Sequence, residues 1–157
     1  MPVERLKEFL DDQGVRYVSI AHSTAFTAQE IAALTHIPGR EMAKTVILKL
    51  DDKMAMAVLP ASRHVDVGAV KAAVGAKHAA LAAEAEFRER FPDCETGAMP
   101  PFGNLYGMPV FVEEALTRDQ EIAFNAGSHN EIIRLAYEDF ARLVKPTIAS
   151  FALERAA

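Results

Sequence analysis

The sequence predicts a single domain of mixed α/β class (α+β), and three observations lead to this prediction. Its 157 residues fit one typical domain, and 50% hydrophobic with 25% charged residues is ordinary for a globular chain. Apolar residues recur at helical spacing in some segments and form short β-branched runs in others. Proline and glycine are scattered, with no repeat or linker to divide the chain. We therefore expect one domain over residues 1–157.

The first part of the chain alternates between helical and extended patterns. Apolar spacing predicts a helix over Val3–Asp12 that stops at Gly14, and the run Val15–Ile20 predicts a strand. Thr27 begins a capping-box pattern, so a short helix should follow it and end before Pro38. The apolar face of that helix would contain Ile31, Leu34 and Ile37.

The middle of the chain carries the pattern of a hairpin followed by two helices. The apolar runs Thr45–Leu50 and Met54–Leu59 flank a polar triplet and predict a β-hairpin with a three-residue turn. Asp66 is a typical N-cap and Gly75 a typical terminator, so a helix should lie between them. Another helix is predicted over Ala83–Phe91, after which a proline interrupts the pattern.

The last third of the chain predicts short strands and one ambiguous segment. Pro109–Val112 and Glu121–Asn125 are expected to be strands. The segment Glu131–Leu143 fits a single amphipathic helix. It fits equally well a strand over Ile132–Leu135 followed by a helix over Tyr137–Leu143. Periodicity alone does not decide between these two interpretations.

Composition argues against several classes of protein. No apolar run approaches the ~20 residues that cross a bilayer, and the first residues lack the apolar core of a secretory signal. We therefore expect a cytoplasmic protein with no membrane partner. The net charge of −5 argues against a large basic surface, so DNA is not expected as a partner. Recognition of one nucleotide end would need only a few local cations.

Familiar catalytic and metal-binding motifs are missing from the sequence, and the five histidines lack the pair spacing of metal ligands, so no metal site is expected. Cys94 is the only cysteine, and the charges of Asp93 and Glu95 disfavour its thiolate, which favours an incidental cysteine over a nucleophile. Ser128 and His129 would point to opposite faces of a strand, which argues against a Ser–His nucleophilic pair.

Three segments nevertheless combine features of a functional site. In Met42–Val46, Lys44 immediately precedes a predicted core strand, where its ammonium could either reach solvent or hold a phosphate or carboxylate. The segment Gly97–Gly103 contains two glycines and two adjacent prolines, and can form neither a helix nor a central strand. A rigid apolar loop of this kind is typical of the wall of a small-molecule pocket.

The third segment, Phe124–His129, ends a predicted strand with small residues and a histidine. It could simply be a turn with a polar tip. Alternatively, Ala126 and Gly127 could direct their backbone N–H groups toward an oxyanion, with His129 nearby as a hydrogen-bonding or proton-transfer group.

In this order, the three segments resemble the YbaK/ProX family of aminoacyl-tRNA deacylases, whose domain is also inserted in bacterial-type prolyl-tRNA synthetases. The resemblance covers nearly the whole chain, including the early histidine in Ile20–Ser23 and the capped helix Thr27–Leu34. It implies a compact domain with a mixed, barrel-like β-sheet surrounded by helices. It also implies hydrolysis of the ester of mischarged tRNA without a metal or an organic cofactor.

The resemblance assigns site residues by position. Lys44 would match the family's essential lysine, which holds the terminal nucleotide, and Gly127 and His129 would complete the catalytic set. The residues expected to bind the substrate are His22, Thr45, Gly97, Met99, Pro100, Pro101, Phe102, Gly103 and Asn125. Many relatives carry serine at the position of Pro100, and Met99 is bulkier than some equivalents. These two departures bear on the amino acid preferred.

The expected function is trans-editing, the removal of a small amino acid from mischarged tRNA. Positioning, oxyanion stabilisation and a water activated with help from the vicinal ribose hydroxyl would suffice for an activated ester. A methylene discriminates by only ~1–3 kcal/mol, so size exclusion by the proline-stiffened loop would select the substrate. The expected partners are the CCA end of aminoacyl-tRNA and an aminoacyl-tRNA synthetase. Two alternatives stay open: a non-catalytic module that senses an amino acid, a nucleotide or a synthetase, and a hydrolase of another small ester.

Overall fold

The computed structural model describes residues 4–23 and 28–153, and the bounds of its elements follow. The helices are α1 (Glu4–Asp12), α2 (Ala28–Thr35), α3 (Val67–Val74), α4 (Glu84–Phe87) and α5 (Tyr137–Val144). The strands are β1 (Tyr17–Ala21), β2 (Ala43–Leu50), β3 (Lys53–Pro60), β4 (His64–Val65), β5 (Ala79–Leu81), β6 (Val110–Glu113), β7 (Glu121–Asn125), β8 (Glu131–Ala136), β9 (Thr147–Ala149) and β10 (Ala152–Leu153). Among these residues, no helix is long and apolar enough to span a membrane.

The strands are arranged in three sheets. A mixed sheet has the order β5-β2-β3-β6-β9, an antiparallel sheet has the order β1-β8-β7, and β4 pairs with β10. An isolated parallel bridge between Met42 and Ala123 brings the first two sheets together. The mixed α/β class is therefore confirmed, although the described strands do not close into a barrel. The bridge matters for function because it places the start of β2 beside β7.

The main core lies between these two sheets and is centred on Phe102, whose side chain is fully buried. The ring centroids of Phe124 and Phe140 lie 5.5 and 5.6 Å from that of Phe102. A β-carbon added at Gly103 would lie 2.4 Å from the carbonyl oxygen of Met108, so only glycine fits there. The second half of the proline-containing loop is thus anchored in the core.

The predicted caps of α3 and the predicted hairpin are confirmed, with one correction to the hairpin turn. The Asp66 side chain accepts a hydrogen bond from the Ala69 N–H at 3.1 Å, and Gly75 ends α3 with φ +70°. The predicted hairpin forms, but its turn has two residues rather than three. Asp51 and Asp52 both have positive φ (48° and 69°), as a tight turn matching the twist of the strands requires.

The ambiguous segment near the end of the chain is a strand followed by a helix, β8 and α5. A strand forms here instead of a longer helix because β8 pairs with β1 on one edge and with β7 on the other. The helix predicted over Ala83–Phe91 is too long, since α4 ends at Phe87 and a 3₁₀ turn follows. The Thr27 capping pattern lies outside the described residues.

Candidate active site

An apolar groove of about 310 Å³ runs along one edge of β2. Thr45, Val46 and Ile47 of β2 line it together with Met99. Leu81 and Phe87, from β5 and α4, are also lining residues. Thr45 and Met99, both predicted to bind the substrate, therefore share one concave site.

The groove exists because β5 covers only half of the β2 edge. The β2–β5 ladder extends no further than the pair Leu48–Leu81, and the Ala82 N–H donates to the Ile47 carbonyl at 3.0 Å. Backbone groups of alternate residues in a strand point to the same edge. The N–H and carbonyl of Thr45 therefore point to the same edge of β2 as those of Ile47. At Thr45 this edge is no longer covered, because β5 has already ended.

The loop of Gly97 and the turn of Gly127 are joined by four hydrogen bonds, which we call the inter-loop contact. The Glu95 N–H donates to the Gly127 carbonyl at 2.8 Å, and the Gly127 N–H donates to the Ala98 carbonyl at 2.9 Å. The backbone N–H of His129 donates to Oε2 of Glu95 at 3.0 Å. Nε2 of the His129 ring donates to the Thr96 carbonyl, also at 3.0 Å. Two of the three segments singled out in the sequence are thus held together.

The hydrogen bonds of the turn backbone correct one expectation about Ala126 and Gly127. Each backbone N–H has one hydrogen to donate. The Ala126 N–H already donates to the Glu131 carbonyl at 3.1 Å, and the Gly127 N–H is committed to Ala98. These two groups are therefore not available as oxyanion donors, and Gly127, with φ +99°, shapes the turn instead.

Of the proline-containing loop, only its first part lines the groove. Gly97 and Met99 are lining residues, and the Gly97 N–H donates to Sδ of Met99 at 3.3 Å. Pro100 and Pro101 are buried, and Phe102 is a core residue. The structure does not place these last three residues, or Gly103, at the groove. Phe102 belongs to the same core cluster as Met99, which does line the groove.

Lys44 lies next to the groove but on the other face of β2. Side chains alternate along a strand, so Lys44 shares a face with Val46, while Thr45 points to the face of the main core. The isolated parallel bridge between Met42 and Ala123 brings the start of β2 close to β7, and Lys44 and Asn125 each lie two residues past a bridged position. Val46, which shares this face with Lys44, is one of the residues that line the groove, whereas Lys44 is not.

Two more predicted residues, His22 and Asn125, carry buried polar atoms. Nδ1 of His22 donates to the Ser23 carbonyl at 2.7 Å, while its Nε2 is buried without a partner among the described residues. Oδ1 of Asn125 is also buried and has no hydrogen-bond partner among the described residues. A buried polar atom without a partner costs free energy, and a polar group of a ligand is one of the partners that can satisfy it.

Cys94 is not suited to act as a nucleophile. Burial is the main cause that raises the pKa of its thiol to about 11, and the hydroxyl of Tyr106 lies 3.3 Å from its sulfur. That hydroxyl also donates to Asp93 at 3.2 Å, which fixes the start of the loop. The prediction of an incidental cysteine agrees with this environment.

No sequence signal singled out Glu95, whose carboxylate accepts the His129 N–H. In the linear pattern it was only a neighbour of Cys94, because its hydrogen-bond partner is 34 residues away. Leu81 and Phe87 were also missed as groove residues. No local signal marks them, since the course of the chain after β5 decides which side chains face β2.

Comparisons with known proteins agree on one family. The model of the family described as "aminoacyl-tRNA editing domain" matches residues 22–143. The multifunctional Ser/Thr-tRNA deacylase ProXp-y of Escherichia coli K12 is 26% identical, with 94% of this chain and 91% of that protein covered.

Solved structures share the fold. The hypothetical protein APE2540 superposes with a TM-score of 0.86 at 18% identity, with 96% of this chain and all of that chain covered. A proposed trans-editing enzyme for prolyl tRNA synthetase superposes with a TM-score of 0.83 at 20% identity, over 97% of each chain.

Proposed function

The chain belongs to the family of aminoacyl-tRNA editing domains, and from this premise we propose that it is a trans-editing deacylase for tRNA mischarged with a small amino acid. It is an aminoacyl-tRNA hydrolase. The observation that carries the finer proposal is the small apolar groove at the uncovered edge of β2.

The dimensions of the groove support a small substrate side chain. About 310 Å³ is close to the lower limit of ligand pockets, which span roughly 300–1,000 Å³. The same space must also admit the ester and part of the ribose. Met99 is only 5% exposed and is backed by the main core, so this wall does not yield easily to a larger side chain.

The oxyanion of the tetrahedral intermediate needs a donor other than Ala126 and Gly127. We assign this role to the backbone N–H of Thr45, which points to the uncovered edge of β2 beside the groove. A single well-placed donor of this kind contributes about 3–4 kcal/mol of transition-state stabilisation. The donor costs no reorganisation because β2 is fixed by β3 along its whole length.

Water attack in this proposal depends on the substrate and not on a metal or a side-chain base. Glu84 is the carboxylate at the rim of the groove, and it is paired with Arg88 at 3.2 Å in an exposed position. An aminoacyl ester is already activated, and its neighbouring ribose hydroxyl can help to orient and activate water. Positioning is then the main contribution of the protein.

Lys44 would anchor the terminal phosphate of the CCA end. Lys44 precedes Thr45, which lines the groove, and this supports a role in holding a phosphate near the bound ester, since an ammonium binds phosphate through charge-assisted hydrogen bonds. His22 and Asn125 would meet polar groups of the terminal nucleotide. Because the chain carries a net charge of −5, an aminoacyl-tRNA synthetase partner would help to supply contacts with the rest of the tRNA.

The test is a deacylation assay on alanyl-, cysteinyl- and seryl-charged tRNA with the wild type and Lys44→Ala. We expect turnover by the wild type and a loss of at least about tenfold in kcat/KM for the variant, the size of one lost charge-assisted contact. Lys53→Ala, at the exposed hairpin turn, is the matched control for loss of one positive charge.

Equal activity of Lys44→Ala and wild type would refute the role of Lys44. A wild type that binds a small ligand but hydrolyses none of the charged tRNAs would refute the proposed reaction and favour a sensor.

A further inference from the structure

The Glu95 side chain holds the turn that carries His129, although no part of it lines the groove. Its Oε2 accepts the backbone N–H of His129 at 3.0 Å and lies 3.9 Å from Nε2 of the same residue. The backbone of Glu95 donates to the carbonyl of Gly127. One residue therefore contacts two of the three residues in the predicted catalytic set.

These contacts reach the groove through the histidine ring. Nε2 of His129 donates to the carbonyl of Thr96, and Cε1 lies 3.6 Å from the position that a β-carbon would take at Gly97. Both Thr96 and Gly97 line the groove. If the His129 backbone turned, the ring would no longer hold this rim in place.

We propose that Glu95 is a positioning residue for the deacylation reaction: its carboxylate fixes the His129 backbone, and the His129 ring in turn fixes the Thr96–Gly97 rim of the groove. This inference rests on the proposed function and adds a residue to it. The hydrogen bond is charge-assisted, which makes it stronger than a bond between neutral groups. The Glu95 side chain is 47% exposed while that of His129 is 11% exposed, so the carboxylate contributes little to the core and acts at the surface of the turn.

Three variants test the role of Glu95. Glu95→Ala removes the acceptor, Glu95→Gln keeps an acceptor oxygen without the charge, and Glu89→Ala removes an exposed carboxylate of the neighbouring 3₁₀ turn. In deacylation of alanyl-tRNA, we expect kcat to fall about tenfold in Glu95→Ala, while KM changes by less than about threefold. Glu95→Gln should recover most of the loss, and Glu89→Ala should match the wild type.

A kcat for Glu95→Ala equal to that of the wild type, or for Glu95→Gln as low as that of Glu95→Ala, would overturn the proposal. So would a loss that appears mainly in KM, because a residue that only positions the ester does not determine tRNA affinity. Melting temperatures of all variants check that a lower kcat does not reflect unfolding.

Amide hydrogen exchange gives a second readout that does not depend on activity. Glu95→Ala should accelerate exchange of the His129 amide, while the Gly127 amide, bonded to the Ala98 carbonyl, should stay protected as an internal reference. Unchanged protection of His129 would refute the role of Glu95 even in an active enzyme. If the wild type hydrolyses no charged tRNA, the proposed function fails and this exchange result alone decides whether Glu95 positions the rim.

Discussion

Gly97 faces the imidazole of His129 across the inter-loop contact, with Cε1 of the ring 3.6 Å from the place of the missing β-carbon. Gly97 has φ +85°, a conformation that residues with a side chain rarely adopt. The distance would allow an ordinary van der Waals contact, so backbone conformation and not lack of space requires glycine here. Gly97 lines the groove, and the His129 ring packs against it from outside the lining.

The first prediction concerns the stability and activity of the variant Gly97→Ala. We expect a loss of about 1–2 kcal/mol in the free energy of unfolding, because a β-carbon disfavours left-handed backbone. Activity on alanyl-tRNA should fall as well, since the rim moves to relieve the strain. Urea unfolding and single-turnover deacylation measure the two effects. Gly39→Ala is the matched control, because no atom lies within 4 Å of its added β-carbon and its φ is ordinary. Equal behaviour of the two variants would contradict this account of Gly97.

A second prediction concerns Phe102, which the sequence assigned to substrate binding and the structure assigns to the core. Phe102→Ala should reduce the free energy of unfolding by about 3–5 kcal/mol, as expected for a large buried ring. The ring of Phe9 (centroid distance 6.2 Å) packs on it edge-to-face and would lose that contact. Chemical denaturation measures the change. If Phe102→Ala instead loses activity while its free energy of unfolding is unchanged, Phe102 binds the substrate and is not a core residue.

The extent to which the sequence predicted this protein depends on how local each signal is. Asp66 and Gly75 delimit α3 through contacts within one or two turns, and the hairpin of β2 and β3 requires only neighbouring residues. The edge strands β5 and β9 have three residues each and form only because β2 and β6 offer them an edge. Their short apolar runs carry no pattern of their own.

In the site, too, local features could be predicted from the sequence and long-range contacts could not. Family resemblance led to residues such as Thr45 and Met99, which do share a groove. It could not show that the Gly127 N–H is taken by Ala98, because that bond joins loops 29 residues apart in the chain. For the same reason it could not reveal Glu95. Hydrogen-bond partners of loop backbone are a property of the tertiary structure.

Glu113 supports a third prediction, on the dependence of stability on pH. The side chain is buried, and its carboxylate accepts the N–H groups of Ala115, Phe151 and Ala152 at 2.7, 2.9 and 3.0 Å. Burial raises the pKa of this carboxyl, but the three donors outweigh burial, and the pKa is lowered. A lowered pKa means that the charged form stabilises the fold above the unfolded pKa of about 4.3 and that this stability is lost as the pH falls further.

We therefore expect Glu113→Gln to lower the free energy of unfolding at pH 7 by about 1–3 kcal/mol, the cost of replacing a charged acceptor in a buried site. The difference from wild type should shrink as the pH falls below about 4, where the wild-type carboxylate also becomes neutral. Urea denaturation at several pH values tests this, with Glu138→Gln as an exposed control on α5. A difference that stays constant down to low pH would rule out the carboxylate as its source.

The fourth prediction is that Met99 limits the size of the amino acid removed. Its side chain is 5% exposed, lines the groove and receives a hydrogen bond from the Gly97 N–H. Met99→Ala opens the groove on the side of the core. The ratio of kcat/KM for a larger aminoacyl ester, such as leucyl-tRNA, to that for alanyl-tRNA should rise by about tenfold or more, since one methylene accounts for ~1–3 kcal/mol of discrimination.

Met108→Ala provides the control for this experiment. Met108 is equally buried, at 5% exposed, and belongs to the same core, but it does not line the groove. Both variants should lose about 2–5 kcal/mol of stability from the cavity they create, so a comparison at equal folded fraction isolates the effect on selectivity. If Met108→Ala shifts the leucyl-to-alanyl ratio as much as Met99→Ala does, general loosening of the core and not the groove wall sets the preference. If neither variant shifts it, the amino acid is selected outside this groove.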